Sequence, residues 1–227
     1  MGETEQEIDN YGQQVLDEFS ESLPEKWKEF PSEEEIGKTI GAIKERNIEV
    51  TLVNNREEAL VKVKNLIPKG VSVMTGSSTT LYQIRFMHYY LSEENGWDCL
   101  GPEIFHEEDP EREKNLKRKA EIADYFVASV NAIAETGQLV SSDASGSRVS
   151  AYPYAAKNLI LVAGIQKITK NLESAMNRIR EYVYPLENER AKKAYGVPST
   201  IGKWVIIEEE QQDHRIQLIL VKEKLGF

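Results

Sequence analysis

Residues that can do chemistry are concentrated between positions 127 and 164. This stretch places an acid, Glu135, in an Ala-Glu-Thr-Gly turn and a lone arginine, Arg148, between short apolar runs. Glycine tolerates positive φ, so Gly137 and Gly146 can each close a tight turn that holds a neighbouring side chain in place. A carboxylate held at a sheet edge can act as acid, base or nucleophile, and a guanidinium suits a carboxylate or phosphate. The alternative is an exposed hairpin in which Glu135 accepts turn amides or pairs with Arg148.

A second polar segment is Thr75-Gly76-Ser77-Ser78-Thr79-Thr80, which follows a predicted strand and precedes a predicted helix. Open α/β sheets bind ligands at the carboxyl ends of their strands, and a helix N-terminus offers unpaired N–H groups. Five of the six residues carry hydroxyls, which together with these amides predict a cradle for phosphate or carboxylate. The alternative is plain capping, with Gly76 making the turn and Ser78 or Thr79 capping the helix. The segment is not a Walker loop, because no Gly-Lys-Ser/Thr follows.

Four segments, spread over roughly residues 36 to 227, carry a family resemblance. The central one joins Asn131-Ala132-Ile133-Ala134-Glu135-Thr136-Gly137 to Gly146-Ser147-Arg148-Val149, and the others are Val73–Leu81, Asn171–Arg180 and Arg215–Phe227. In this order they resemble the LUD (lactate-utilisation) domain family. The resemblance implies the α/β fold of ribose-5-phosphate isomerases, glucosamine-phosphate isomerases and CoA transferases. That fold is a mainly parallel, Rossmann-like open sheet flanked by helices, with antiparallel strands added at the C-terminal end.

The resemblance also implies a function, namely a subunit or accessory protein in the oxidation of L-lactate to pyruvate. Some related proteins carry a cysteine-rich segment near the C-terminus, where this chain reads Val197–Lys203 without cysteine. The chain also lacks a strand-linked Gly-x-Gly-x-x-Gly dinucleotide loop. We therefore expect no cofactor of its own and no oxidation of lactate by the chain alone. Iron–sulfur partner subunits would have to supply the electron path.

Two other functions stay open. One is a stand-alone transferase or isomerase-like enzyme acting on a small phosphorylated or CoA-linked acid, with Glu135 as the catalytic residue by analogy with CoA transferases. The other is a non-catalytic regulatory domain that binds a small anionic metabolite. For all three functions, we expect Glu135 and Arg148 to open onto the same cleft as the 77–79 loop, with Asp143 and Tyr152 as weaker supporting residues. The predicted ligand-binding residues are Thr75, Gly76, Ser77, Ser78, Thr79, Asn131, Thr136, Gly137 and Arg148.

Charge and composition limit the partners. The chain has 38 acidic and 28 basic residues and a net charge of −10, which argues against nucleic acid or an anionic membrane as the main partner. A basic run at 114–119 has helical spacing with acids beside it, which favours a solvated face. No apolar run approaches the roughly 20 residues of a membrane helix, and the acidic start is not a signal peptide. These features predict a cytoplasmic protein.

Metal and disulfide sites are not expected either. Cys99 is the single cysteine, so it cannot form an internal disulfide or a cysteine metal site. The histidines, His88, His106 and His214, are scattered and have no clustered acid partner.

The chain divides into an arm, residues 1–30, and a single α/β domain, residues 31–227. The arm predicts a polar helix whose apolar residues, such as Val15 and Phe19, share one face. Such an arm can pack on its own domain or on a second subunit, which leaves a homo-oligomer open.

The periodicity of the domain predicts alternating strands and helices. Ser32 and Glu35 form a capping box that starts a helix. The predicted strands lie near 48–53, 71–74, 125–129, 132–134, 139–141 and 159–162, and the predicted helices near 32–46, 56–67, 79–92, 111–122, 171–183 and 187–195. The segments 203–208 and 215–221 alternate like an antiparallel hairpin around 211–213, which adds antiparallel strands to the sheet.

Overall fold

The computed structural model describes residues 5–76 and 78–227, with the backbone alone for residues 5–10. The strands are β1 (Glu49–Val53), β2 (Ser72–Thr75), β3 (Asp98–Cys99), β4 (Tyr125–Ala128), β5 (Ala132–Ala134), β6 (Leu139–Asp143), β7 (Asn158–Gly164), β8 (Ile168–Thr169), β9 (Lys203–Ile207) and β10 (Ile216–Val221). The helices are α1 (Glu5–Phe19), α2 (Glu33–Lys44), α3 (Arg56–Leu66), α4 (Thr79–Gln83), α5 (Phe86–Tyr90), α6 (Gly101–Phe105), α7 (Pro110–Ala120), α8 (Leu172–Arg178) and α9 (Tyr184–Tyr195). A π-helical turn, Ile179–Val183, joins α8 to α9, so residues 172–195 form one continuous helical run.

Side-chain caps begin several of these helices. At α2 the Ser32 Oγ accepts from the Glu35 backbone N at 3.2 Å, and Glu35 Oε2 accepts from the Ser32 backbone N at 2.7 Å. Asn55 and Asn171 cap α3 and α8 in the same way, each accepting an N–H three residues on at 2.9 Å. The predicted capping box is confirmed, and these local signals position the helices around the sheet.

The helix predicted over 79–92 is interrupted. It ends at Gln83 and resumes at Phe86, with Arg85 in the left-handed region at φ 62°. In a regular helix, positions 84 and 86 would point about 200° apart, so Ile84 and Phe86 could not share one apolar environment. The break lets both side chains bury in the same cluster, where they are 1% and 0% exposed.

The main sheet has six strands in the order β1-β10-β7-β4-β2-β3, and every neighbouring pair is parallel. Its central strand β7 is buried from Leu159 to Gly164, as expected of a parallel strand covered on both faces. The carboxyl ends of β2, β4 and β7 therefore meet at one edge of the sheet, where Gly76 follows β2.

Helices and a second sheet cover the two faces. One face packs on α3, α4 and α5 through residues such as Val63, Leu81 and Phe86. The other face packs on α2, α7 and a second, four-stranded sheet in the order β8-β5-β6-β9. In that sheet β6 runs antiparallel to β5 and β9, whereas β8 runs parallel to β5. The predicted class, an α/β protein with a mainly parallel sheet flanked by helices and with antiparallel strands, is confirmed.

The far side of the second sheet is covered by α1 and the 172–195 helical run. Val15 is fully buried in a cluster with Val140 and Ile179, and Phe19 packs against it. Gln83 Nε2 also donates to Gln13 Oε1 at 2.9 Å, which ties α1 to α4. The apolar face predicted for the arm is therefore buried against its own chain.

The predicted hairpin of 203–208 and 215–221 is wrong. Strand β9 pairs with β6, whereas β10 lies parallel between β1 and β7 in the main sheet. The reason is burial, because β10 places Leu218 in the apolar cluster on one face and Ile219 in the cluster on the other. A strand that is apolar on both sides is stable at the centre of a parallel sheet and not as an added edge.

Candidate functional site

A cavity of about 390 Å³ opens at the carboxyl edge of the main sheet. The cavity is lined by the loop after β2, by the turn at 142–148 and by Asn131. The end of α7, the start of α9, residues 199–201 and Phe227 complete the rim. The volume lies in the range of small-molecule sites, and the position is where open α/β sheets bind ligands.

Arg148 lies directly against the 75–80 loop. Its aliphatic stem covers Gly76, where a Cβ would overlap Arg148 Cγ. The guanidinium donates from Nη2 to Ser142 O at 2.7 Å and lies 3.6 Å from Asp143 Oδ1. Its Nε is buried without a hydrogen-bond partner. Arg148 and Gly76 are therefore in contact at the edge of the cavity, and their role in a shared ligand site stays a prediction.

Asn131 and Asp143 stabilise the backbone of the turn that contains Arg148. Asn131 Oδ1 accepts from the Ser142 backbone N at 2.8 Å, and Asp143 Oδ2 accepts from the Gly146 backbone N at 2.6 Å. Both residues line the cavity. Tyr152, in contrast, lies behind the wall, where its hydroxyl donates to Ser129 O at 2.8 Å and burial raises its pKa to about 12.

The hydroxyl groups in the 75–80 segment differ in their hydrogen-bond partners. Thr75 Oγ1 donates to Val127 O at 2.9 Å and so belongs to the sheet. Ser78 occupies the N-cap position of α4 but makes no side-chain capping bond, and with Thr79 it lines the cavity. Ser77, another predicted ligand-binding residue, lies outside the described residues. Plain capping therefore does not account for Ser78, which leaves its hydroxyl available to the cavity.

Glu135, Thr136 and Gly137 lie elsewhere. They form the turn between β5 and β6, at the end of this pair opposite to Asn131 and Ser142, and they do not line the cavity. The turn packs on α2, where Lys38 Nζ lies 3.3 Å from Glu135 Oε2 and Arg46 Nε donates to Thr136 O at 2.8 Å. The expectation that Glu135 opens onto the cleft of Arg148 is therefore wrong. A catalytic role of Glu135 stays a prediction.

The sequence analysis missed Lys167, which follows β7 at the same edge of the sheet. Its side chain is 1% exposed, and its Nζ lies 3.1 Å from Thr80 Oγ1 and 3.0 Å from both Ser129 Oγ and Val130 O. Burial, with smaller effects of Arg178 and Arg148, holds the pKa of Lys167 well below its usual value. A lysine three positions after the end of a continuous apolar strand was the signal that could have revealed it.

A second missed cation is Arg178, the last residue of α8. It is fully buried, donates from Nη1 to Asn131 O at 2.6 Å, and lies 5.1 Å from the centre of the Tyr182 ring. Its Nε and Nη2 have no hydrogen-bond partner. Burial lowers the pKa of Arg178 to about 10. Arg178 is therefore a buried basic residue bonded to Asn131, which lines the cavity.

The acidic residues Asp143 and Glu121 also line the cavity. Asp143 lies near Arg148, and Glu121 accepts from Ser150 Oγ at 2.7 Å. Burial raises the pKa of the Glu121 carboxyl, and the nearby charge of Asp143 adds to that effect. Basic and acidic groups therefore lie side by side at the cavity, at Arg148 and Asp143.

The family model of the LUD domain matches residues 36–226 of the chain. The chain belongs to the LUD domain family. The predicted resemblance is confirmed by this match. A solved structure described as a DUF162 family protein from Deinococcus radiodurans is similar to this LUD domain, with 13% identity, coverage of 83% of this chain and 96% of that chain, and a TM-score of 0.48. No curated protein matches the chain.

Two further features of this LUD domain concern the described residues only. None of their helices has the length and apolar character needed to span a membrane. Within the same residues, no group of three or more His, Cys, Asp or Glu side chains is placed to hold a metal ion.

The contact between Gly76 and Arg148 makes a first prediction for this LUD domain. Gly76→Ala is expected to lower the free energy of unfolding by about 1–3 kcal/mol, because the new methyl group must displace a partly buried arginine stem. Gly41→Ala is the control, because a Cβ added at Gly41 in α2 would have no atom within 4 Å. This substitution should raise the free energy of unfolding by about 0.5–1 kcal/mol. Urea denaturation of both variants measures the effect, and a Gly76→Ala protein as stable as the wild type would contradict the close contact.

Proposed function

We propose that this LUD domain binds a small organic anion in the cavity, through a carboxylate or a phosphate group. The observation that carries the proposal is the buried Nε–H of Arg148, a residue that lines the cavity, because this donor has no hydrogen-bond acceptor. Buried donors are almost always hydrogen-bonded in native proteins, because an unsatisfied one is costly. An anionic oxygen in the cavity would supply the missing acceptor.

The charge balance supports the same proposal. The chain carries a net charge of −10, yet Arg148 lines the cavity and the fully buried Arg178 donates to Asn131, which also lines it. Asp143, at 3.6 Å from Arg148, is the carboxylate that partly offsets them. Two arginines, one lining the cavity and one bonded to a lining residue, favour an anionic ligand over a neutral or cationic one.

Membership of the LUD family supports a finer proposal. L-lactate and pyruvate are small monocarboxylates and would fit both the charge and the volume of the cavity. We therefore propose that the chain serves as a subunit or accessory factor in L-lactate oxidation, with iron–sulfur partner subunits carrying the electrons.

Calorimetric titration of the purified chain tests the proposal. The probes are L-lactate, pyruvate and inorganic phosphate, and at least one is expected to bind with one-to-one stoichiometry. Arg148→Met should weaken that binding about 10- to 100-fold, the effect of losing a charge-assisted hydrogen bond. Arg56→Met is the control, because Arg56 pairs with Glu223 at 2.8 Å and does not line the cavity.

The possible results of the titration lead to different conclusions. The lactate proposal requires binding of lactate or pyruvate, whereas binding of phosphate alone would indicate a phosphorylated ligand. No saturable binding of any probe, or equal affinities of wild type and Arg148→Met, would contradict the anion site.

A further inference from the structure

A second concave surface of this LUD domain, a groove of about 640 Å³, is lined by residues of both α7 and β9. From β9 it includes three consecutive residues, Lys203, Trp204 and Val205. Successive side chains of a strand point to opposite faces of the sheet, so contact with three in a row indicates the edge of the strand. One edge of β9 is paired with β6, and β9 is the last strand of its sheet. The groove therefore follows the open edge of the second sheet.

The open edge of β9 offers main-chain hydrogen-bonding groups. Within the described residues, the backbone of Lys203–Ile207 makes hydrogen bonds to β6 and to no other segment. Such an edge presents outward N–H and C=O groups with which an extended peptide can pair. Five residues at about 3.4 Å each span about 17 Å, so a peptide segment of similar length can pair along the whole strand.

Basic side chains line the same groove. Lys114, Lys117 and Arg118 of α7 contribute to it together with Lys203 of β9. Glu121 is the only acidic residue among the described residues that line it. The chain as a whole carries a net charge of −10, so four cations at one groove are a local exception. They favour an acidic occupant and accelerate its encounter with the groove.

These cations are free to change partners. Arg118 Nη1 donates to Asn115 Oδ1 at 3.1 Å, and Lys203 Nζ donates to a backbone carbonyl at 3.5 Å. Neither cation forms an ion pair with a carboxylate of the described residues. The two lysines of α7 pair with acids of their own helix, and surface pairs of this kind are weak. All four cations can therefore bind carboxylates of another chain.

The main-chain edge and the charges together select the kind of occupant. Pairing of β9 with a second copy of itself would bring two sets of basic residues together, and like charges opposite each other are unfavourable. Lysine on an edge strand is a common protection against such self-pairing. A small anion would meet the cations but would leave the main-chain groups of the edge unpaired. An acidic extended peptide satisfies both.

We propose that an extended acidic segment of a partner protein adds to β9 as a fifth strand of the second sheet. Its main chain pairs with the open edge, and its carboxylates pair with the basic residues of the groove. The groove adjoins the cavity, because four residues line both, namely Lys117, Glu121, Ser145 and Ser147. The partner is thereby held beside the proposed anion site. The interface itself depends on the groove and not on what the cavity binds.

Fluorescence anisotropy with the full chain tests the proposal. The probe is a labelled peptide of about eight residues in which glutamate alternates with valine, so that it is acidic and favours an extended conformation. We expect saturable one-to-one binding with a Kd below about 1 mM. Hydrogen–deuterium exchange of the complex should show slower exchange of outward-facing amides in residues 203–207, because strand pairing protects them.

Two control peptides separate charge from strand pairing. One has lysine in place of glutamate, which reverses its charge. The other keeps the glutamates but is N-methylated at every amide, so it has no main-chain N–H to donate. Each should bind the wild type at least about tenfold more weakly than the acidic peptide.

Two double variants locate the binding surface. Arg118→Glu combined with Lys203→Glu should weaken binding of the acidic peptide at least about tenfold. Lys119→Glu combined with Lys157→Glu changes the net charge equally at exposed residues that do not line the groove, and should bind within about threefold of the wild type. Circular dichroism checks the fold of both variants. The comparison of peptides on the wild type stands even where a variant fails to fold.

Each contrary result overturns the proposal. Absence of saturable binding would show that this edge takes no acidic strand. Equal binding of the N-methylated peptide would show charge attraction without strand pairing, and undiminished binding by the groove variant would place the peptide elsewhere. A dimer of the free chain in sedimentation, with the outward amides of 203–207 already protected, would show that a second copy occupies the edge.

Discussion

Arg215→Met is expected to unfold with a free energy about 3–5 kcal/mol lower than that of the wild type, the cost of breaking a buried ion pair by removing one partner. Arg215 is 4% exposed and donates from Nη1 to Glu210 Oε2 at 2.6 Å. Its other N–H groups donate to the carbonyls of Ala151, Tyr152 and Ala156. The variant would leave a carboxylate and three carbonyls without this donor, at the start of a central strand.

Urea denaturation at neutral pH measures this effect. Lys114→Met is the control, because Lys114 pairs with Glu111 on the surface of α7, where the two side chains are 57% and 75% exposed. An exposed pair of this kind contributes about 0–1 kcal/mol. Equal stabilities of the Arg215→Met and Lys114→Met proteins would show that the buried pair does not hold the 208–215 loop to the sheet.

Lys167→Met is expected to remove a pH-dependent destabilisation of the fold. Burial beside Arg178 and Arg148 lowers the pKa of Lys167 well below its usual 10.5. At a pH between the folded-state pKa of Lys167 and 10.5, the unfolded chain holds a proton at this amine that the folded chain lacks. Wild-type stability therefore falls as the pH is lowered through this range. The slope is about 1.4 kcal/mol per pH unit, and it ends once the pH is below the folded pKa. Methionine has no proton to bind, so the variant should lack this slope.

Urea titrations of the two proteins between about pH 6 and pH 10 measure the difference. The stability of the wild type relative to Lys167→Met should rise with pH in that range. A constant difference would contradict an amine that is neutral in the folded chain. Lys157→Met, which replaces an exposed lysine, controls for the general effect of losing a positive charge.

Local features of the sequence were sufficient for the polar loop after β2 and for the helices that surround it. Hydroxyls and a glycine between an apolar strand and a helix predict the loop, and Ser32 with Glu35 predicts the start of α2. Arg148 was also found, as a lone arginine in a glycine-rich turn. These predictions succeed because strand periodicity, helix capping and turn chemistry depend on residues only a few positions apart.

Lys167 and Arg178 were missed because their environment is made by distant residues. Lys167 meets Thr80 and Ser129, which are 87 and 38 positions away, and Arg178 meets Asn131 across 47 positions. In the sequence, each is a charged residue that is normally exposed. Only the packing of the two sheets buries them together.

Dependence on distant residues also explains why the predictions for Glu135 and for the 203–221 hairpin were wrong. Whether the Glu135 turn or the Asn131 end of the β5–β6 pair faces the cavity depends on how the second sheet packs on α2. The separation of β9 from β10 depends on partners outside the segment, since β10 pairs with β1 and β7. The sequence by itself determined the family, the α/β class, the polar loop and Arg148. The tertiary structure alone decided which charges meet, because strand pairing and burial join residues that no local pattern relates.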